Sequence, residues 1–129
     1  MLVLKVAKGL YSRIEKYGFK YTNKGNVIFR LNKDVVQGLT FKRKYVKDIE
    51  GRKMNLYELS FSIQPLCNPE AGFYSKFFEG MDVGWCMSPP AFWPFAELTG
   101  EPSSLEQCVN QMYDAFTEWV LPYFEEFYD

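Results

Sequence analysis

The stretch NLYELSFSIQ, residues Asn55–Gln64, decides the fold class. Every second side chain in it is apolar, namely Tyr57, Leu59, Phe61 and Ile63. The side chains between them are polar, namely Glu58, Ser60 and Ser62. A period of two is typical of a β-strand with one face against a core and the other toward water. This stretch therefore predicts an antiparallel sheet that is covered on a single side.

Two further strands precede this one and are predicted to form a hairpin. Apolar residues alternate over residues 27–31 and again over residues 35–41, and Asn32-Lys33-Asp34 provides a turn between the two runs. The segment from Lys47 to Lys53, centred on Gly51, is expected to be an exposed hairpin loop that leads into the third strand. Further along the chain, residues 83–87 are a candidate for a short fourth strand.

An amphipathic helix is predicted before the strands. Its apolar positions recur at helical spacing, namely Leu2, Val6, Leu10, Ile14 and Tyr17. Gly18 is expected to end this helix, because glycine readily adopts the left-handed conformation that follows a last helical turn. Gly9 lies inside the helix and is expected to weaken it, since glycine is a poor helix former.

A second helix is predicted after Pro102, where Ser103 and Glu106 match a capping box. Its predicted buried stripe consists of Leu105, Val109, Met112, Phe116, Trp119 or Val120, and Tyr123. Pro122 is expected to kink or split the helix, because it lacks a backbone N–H. We therefore predict one α+β domain over residues 1–129, with an antiparallel sheet of three to four strands packed on one face by the N- and C-terminal helices. The predicted order of elements is α-β-β-β-(β)-α.

The absence of histidine limits the chemistry that can be expected of this sequence. Ser-His-Asp and Cys-His nucleophile systems both need an imidazole, and histidine is also the commonest metal ligand. The three cysteines, Cys67, Cys86 and Cys108, are scattered and odd in number, which favours buried thiols in a reducing cytosol. We therefore assign no catalytic residue, no metal site and no cofactor, and expect a soluble, cytoplasmic protein without a membrane span.

Charge is distributed unevenly along the chain. Residues 1–53 contain 14 Lys and Arg against 4 acidic residues, whereas residues 54–129 contain one Lys and 12 acidic residues. Such a split is one mark of an interaction surface, and the acidic half, with Glu118 and Glu125 on its helix, would attract a cationic protein. The alternative is that both halves present ordinary solvated charges. The carboxylate pairs Glu97/Glu101 and Glu125/Glu126 are interpreted as solvated acids rather than catalytic pairs.

The segment from Pro65 to Pro102, both included, lacks periodicity and contains six of the seven prolines together with many aromatic residues. We expect it to fold over the sheet as an aromatic cap. Trp85, Trp93 and Phe95 are its candidate binding residues, because aromatic side chains commonly line apolar grooves for ligands or peptides. The alternative is that the cap is a second, smaller core.

A short basic cluster forms the candidate site for nucleic acid. It consists of Lys42, Arg43 and Lys44, with Arg52 and Lys53 nearby in sequence. Clustered cations beside an aromatic residue are typical of contacts to a nucleic-acid backbone. The alternative is that these lysines protect an edge strand from aggregation.

Several segments resemble the bacterial domain-of-unknown-function family 4304. These are the run Tyr17-Gly18-Phe19-Lys20 that closes the first helix, the hairpin over residues 26–44, the strand over residues 56–63, and the step Leu121-Pro122-Tyr123-Phe124 in the last helix. The resemblance implies a helix that ends in Gly-Phe and leads into a meander. It implies no enzymatic activity and offers no catalytic residues.

The leading functional hypothesis is a non-enzymatic binding protein, such as an immunity-type inhibitor, that uses its acidic half and aromatic cap against a cationic protein. The first alternative is a nucleic-acid-binding module that uses the basic hairpin. The second is a small-molecule-binding protein or enzyme with a pocket under the aromatic cap.

Overall fold

A computed structural model describes residues 4–22, 26–32, 35–47, 50–65, 81–82 and 95–126. The helices are α1 (Lys5–Ile14), α2 (Pro102–Ala115) and α3 (Leu121–Glu125), with a 3₁₀ turn at Glu15–Tyr17 and a π-helical segment at Phe116–Val120. The strands are β1 (Lys20–Thr22), β2 (Val27–Asn32), β3 (Val35–Lys47), β4 (Lys53–Pro65), β5 (Met81–Asp82) and β6 (Phe95–Leu98). The α+β architecture is therefore confirmed.

The described strands form one antiparallel sheet in the order β1-β2-β3-β4-β5, and β6 also pairs with β4. The predicted hairpin is present, because Asn32 of β2 pairs with Val35 of β3. The long β3–β4 hairpin closes at the pair Lys47 and Lys53, and Gly51 in its turn has a positive φ of 81°. The short strands β1 and β6 were not predicted from the sequence. The fourth strand proposed at residues 83–87 lies outside the described residues.

Both helices pack on one face of the sheet, as predicted. Side chains from α1, the sheet and the C-terminal helical region form one buried cluster. Representative members are Leu10 of α1, Leu59 of β4 and Met112 of α2, all completely buried. The opposite face is not fully open, because Val27 and Val36 are buried there and pack against Phe29. The prediction of single-sided cover is therefore wrong at this part of the sheet.

Two glycines shape α1, one after its end and one within it. Gly18 follows the 3₁₀ turn with a φ of 91°, and its backbone N–H donates to Glu15 O, so the predicted helix end is confirmed. Gly9 lies where α1 crosses α2. A Cβ atom added there would lie 2.8 Å from Cγ2 of Val109, closer than real contacts allow. Gly9 therefore permits close packing of α1 against α2. From the sequence, only its effect on helix stability was predicted, and not this packing role.

The start of α2 differs from the predicted capping box. Glu101 occupies the N-cap position without a side-chain hydrogen bond, and Pro102 begins the helix. Proline suits the first helical position because the missing N–H would have no partner there. Ser104 Oγ instead accepts a hydrogen bond from the backbone N–H of Leu98, 2.7 Å away. This bond ties α2 to the end of β6.

Candidate functional site

Of the candidate binding residues in the predicted aromatic cap, the structure describes Phe95 alone. Trp85 and Trp93 lie outside the described residues. Phe95 is the first residue of β6, pairs with Tyr57 of β4 and is only 1% exposed. Its ring belongs to the main core and offers no surface to a ligand. The assignment of Phe95 to a binding groove is therefore wrong, because its strand position points it toward the helices.

Two other aromatic side chains are exposed on the C-terminal helical region. Trp119 is 37% exposed and Tyr123 is 42% exposed. Of the two residues proposed for one stripe position, Val120 is the buried one and Trp119 is not. The prediction that Tyr123 is buried is wrong, because Phe124 takes that place in the core. The cause is the π-helical segment, whose wider turn inserts an extra residue and shifts every later side chain around the helix axis. Pro122, which was predicted to disrupt the helix, lies two residues after the end of this segment.

The exposed aromatic pair sits on the edge of the core. The ring of Tyr123 makes an edge-to-face contact with Phe61 of β4, with 5.4 Å between the ring centroids. Trp119 and Tyr123 are four residues apart, a spacing that places side chains on one side of a helix. Because Tyr123 packs against a buried ring, part of this pair is fixed before any partner binds.

Exposed acidic residues flank the pair in the sequence. Asp114, Glu118 and Glu126 are exposed, and no lysine or arginine occurs between residues 102 and 126. We call Asp114, Glu118, Trp119, Tyr123 and Glu126 the aromatic–acidic surface. It combines large apolar area with negative charge, and Glu118, a residue predicted from the sequence, belongs to it.

Glu125, the other predicted acidic residue, has a structural role. Its Oε1 lies 3.3 Å from Nη2 of Arg30 in β2, and the two form an ion pair. The Glu125 side chain is 48% exposed, whereas that of Arg30 is only 3% exposed. Glu125 is therefore exposed, as expected, but it is also tied to a buried arginine, and its role in attracting a partner stays a prediction. A buried guanidinium needs a counter-charge and hydrogen-bond acceptors, and Glu125 supplies part of this requirement.

Arg30 is the centre of a buried polar network that holds α3 against the sheet. Its Nε donates to Gln37 Oε1 at 2.6 Å, and its Nη1 donates to the Tyr17 carbonyl at 2.9 Å. Gln37, which is completely buried, donates from Nε2 to the carbonyl of Phe124 at 2.7 Å. The network therefore joins β2, β3, the end of the first helical region and α3, and it fixes the segment that carries the aromatic–acidic surface.

The basic cluster is divided between the two sheet faces. Lys42 and Lys44 pair with Glu58 and Leu56 of β4, whereas Arg43 between them pairs with Tyr57 and lies on the helix-covered face. This follows from the alternation of side chains along a strand.

Arg52 and Lys53 are exposed at the far hairpin turn, and Arg52 forms an ion pair with Glu50 at 3.4 Å. The five cations predicted as a nucleic-acid site therefore do not share one continuous face.

Cys108 is not suited to nucleophilic chemistry. It is a free, completely buried cysteine of α2. Burial, and secondarily the charge of Glu97, raises the pKa of its thiol to about 12, so the reactive thiolate is disfavoured. Within the described part of the chain, no group of three or more acidic or cysteine side chains is arranged to hold a metal ion. None of the described helices has the length and apolar character needed to cross a membrane.

Comparison with known proteins gives no relative for this chain. No family model matches it, and neither do the curated proteins or the solved structures. The sequence pattern left open whether Trp119 or Val120 is buried and placed Tyr123 in the core. Pro122 was the sequence signal for a disruption at this point of the helix.

Proposed function

We propose that the protein is a non-enzymatic binding protein whose aromatic–acidic surface docks a basic protein partner. The observation that carries this proposal is the exposure of Trp119 and Tyr123, four residues apart, in a helical region of five acidic residues and no cation. Tryptophan and tyrosine are enriched among the residues that dominate binding energy at protein interfaces. Their position beside acids favours a partner that carries Lys or Arg.

The two kinds of side chain would contribute differently to binding. Asp114, Glu118 and Glu126 would speed the encounter with a basic surface, and this contribution would fall as salt screens the charges. Trp119 and Tyr123 would supply the buried contact that slows dissociation. The π-helical segment supports the same reading, since such segments are frequent at functional sites.

Three features favour binding over catalysis. The sequence has no histidine, and the described cysteine is buried with a raised pKa. Tyr57 is also unsuited to act as a base, because burial and its hydrogen bond to Glu97 raise the pKa of its hydroxyl.

An immunity-type inhibitor, acting in a reducing cytosol, fits these properties, because such a protein needs a complementary surface rather than reactive groups. The resemblance to the family 4304 domains, which implies no enzymatic activity, is compatible with the same proposal.

The proposal is tested by capture from a lysate of the source cells. The wild-type chain is compared with the double variant Trp119→Ser/Tyr123→Ser at low and moderate salt, and captured proteins are identified by mass spectrometry. We expect the wild type to retain a basic protein in stoichiometric amount and the double variant to lose it.

Tyr45→Ser is the matched aromatic control. Tyr45 is 52% exposed, and it pairs with Asn55 of β4. Asn55 is six residues along β4 from Phe61, the contact of Tyr123, so at the usual strand rise Tyr45 lies about 20 Å from the aromatic–acidic surface. This control should capture as much partner as the wild type. Equal capture by the double variant, or no basic protein with the wild type, would contradict the proposal.

A further inference from the structure

A cavity lies at the end of the sheet away from the aromatic–acidic surface, between the start of α1 and strands β3, β4 and β6. Its volume is about 240 Å³, and its polar lining is formed by Lys5, Arg43, Asn55, Tyr57, Glu97 and Thr99. We call it the sheet-end cleft. At roughly 30 Å³ per water molecule, this space would hold about eight waters, which is room for a small polar ligand.

Strand pairing explains why polar groups meet here. Tyr57 pairs with Phe95 in the last apolar row of the core, and Asn55 pairs with Glu97 in the next row outward on the same face. Arg43 pairs with Tyr57 from the other side of β4. The face that is apolar beneath the helices therefore becomes polar where the helix cover ends.

The Glu97 carboxylate is held in place on one side only. Its Oε1 accepts a hydrogen bond from the Tyr57 hydroxyl at 2.6 Å and another from Asn55 Nδ2 at 3.2 Å. No described residue donates to its other oxygen. Glu97 was interpreted from the sequence as a solvated acid, but these bonds make it an oriented acceptor at the cleft wall.

Asn55 adds a second acceptor without a donor. Its side-chain oxygen is buried and has no hydrogen-bond partner. Buried polar atoms are nearly always satisfied, so an orphan acceptor beside a cavity points to a missing donor. A ligand with several N–H donors would serve both Glu97 and, after a rotation of its side chain, Asn55.

Two cations line the same cleft. Lys5 and Arg43 are exposed, and neither forms an ion pair with a described carboxylate. With Glu97 as the one acidic side chain in the lining, the cleft has an excess of positive charge. A ligand that matches it carries one ammonium group and more than one anionic group.

We propose that the sheet-end cleft binds a small acidic amino acid, with its ammonium group on Glu97 and its carboxylates facing Lys5 and Arg43. The inference is independent of the aromatic–acidic surface, which uses none of these residues. Guanidinium and carboxylate groups form strong charge-assisted hydrogen bonds, which gives Arg43 the larger share of the recognition.

The test is titration of isotope-labelled protein with L-glutamate and L-aspartate at millimolar concentration, followed by NMR. Glutarate, which lacks the amino group, and inorganic phosphate are the comparison ligands. We expect amide shifts that are confined to residues around the cleft, and weaker binding of glutarate and phosphate.

Variants test each contact. Arg43→Gln should weaken L-glutamate binding at least about tenfold, the effect of losing one charge-assisted hydrogen bond. Lys44→Gln is the matched control, because Lys44 is the next residue on β3 but faces the other side of the sheet. It should change affinity by less than about twofold, as expected of a screened surface charge. Glu97→Gln should reduce the affinity for L-glutamate to that for glutarate.

Three results would overturn the proposal. Equal binding of glutarate and L-glutamate by the wild type would exclude recognition of the ammonium group. Equal effects of Arg43→Gln and Lys44→Gln would exclude the cleft. No shift at the cleft with either amino acid would exclude the ligand class.

Discussion

The buried network around Arg30 makes a quantitative prediction about Gln37→Leu. Gln37 is completely buried and bridges two partners, Arg30 Nε at 2.6 Å and the Phe124 carbonyl at 2.7 Å. Leucine has nearly the same volume but can neither accept nor donate. The substitution therefore leaves a buried N–H of a charged group and a buried carbonyl oxygen without these partners.

The magnitude follows from these two losses. Each buried polar group that loses its partner costs about 1–3 kcal/mol, and the apolar leucine side chain offsets part of this. We expect Gln37→Leu to lower the free energy of unfolding by about 3 kcal/mol. Glu125→Gln, at a half-exposed position in the same network, should cost less than about 1 kcal/mol because water screens that pair.

Urea unfolding followed by circular dichroism measures both variants. With a slope of about 1.5 kcal/mol per molar urea, the midpoint of Gln37→Leu should fall by about 2 M. Lys44→Gln, an exposed change of the same sheet, should leave the midpoint unchanged. A loss of less than about 1 kcal/mol for Gln37→Leu, or equal losses for Gln37→Leu and Glu125→Gln, would refute the view that burial gives the network its strength.

Two further predictions concern the core. Because the pKa of Cys108 is raised from 9.0 to about 12, its contribution to stability is complete below pH 9 and declines as pH rises toward 12. Urea midpoints measured from pH 8 upward should therefore fall less steeply for Cys108→Ala than for the wild type, and identical slopes would contradict this. Gly9→Ala, usually stabilising in a helix, should lower the free energy of unfolding by about 1 kcal/mol because the new Cβ meets Val109. Thermal unfolding checks it, and a raised midpoint temperature would count against the packing argument.

The local sequence pattern was sufficient to predict features that depend on a single strand or a single turn. The alternation of Tyr57, Leu59 and Phe61 identified the buried face of β4, and Gly18 identified the end of the first helical region. These features follow from side-chain periodicity and from the φ angle that glycine allows. They need no knowledge of what lies opposite in the fold.

Features that depend on tertiary contacts were not predicted. Pro122 indicated a disruption, but nothing local showed that a π-helical segment would rotate Trp119 outward and Val120 inward. Arg30 has the sequence context of an exposed strand residue, and only its partners on other elements explain its burial. The placement of Arg43 and Lys44 on opposite faces could have been predicted from the sequence, because adjacent residues of a strand face opposite sides of a sheet.

The most direct test of the proposed function is the dissociation constant for the captured basic partner, measured with purified proteins. Trp119→Ser should weaken binding about 30-fold, as expected for loss of a dominant interface residue. Glu118→Gln/Glu126→Gln should mainly slow association and reduce its salt dependence, and Tyr45→Ser should have no effect. If Trp119→Ser binds as tightly as Tyr45→Ser, the partner does not use the aromatic–acidic surface and the proposed function is wrong.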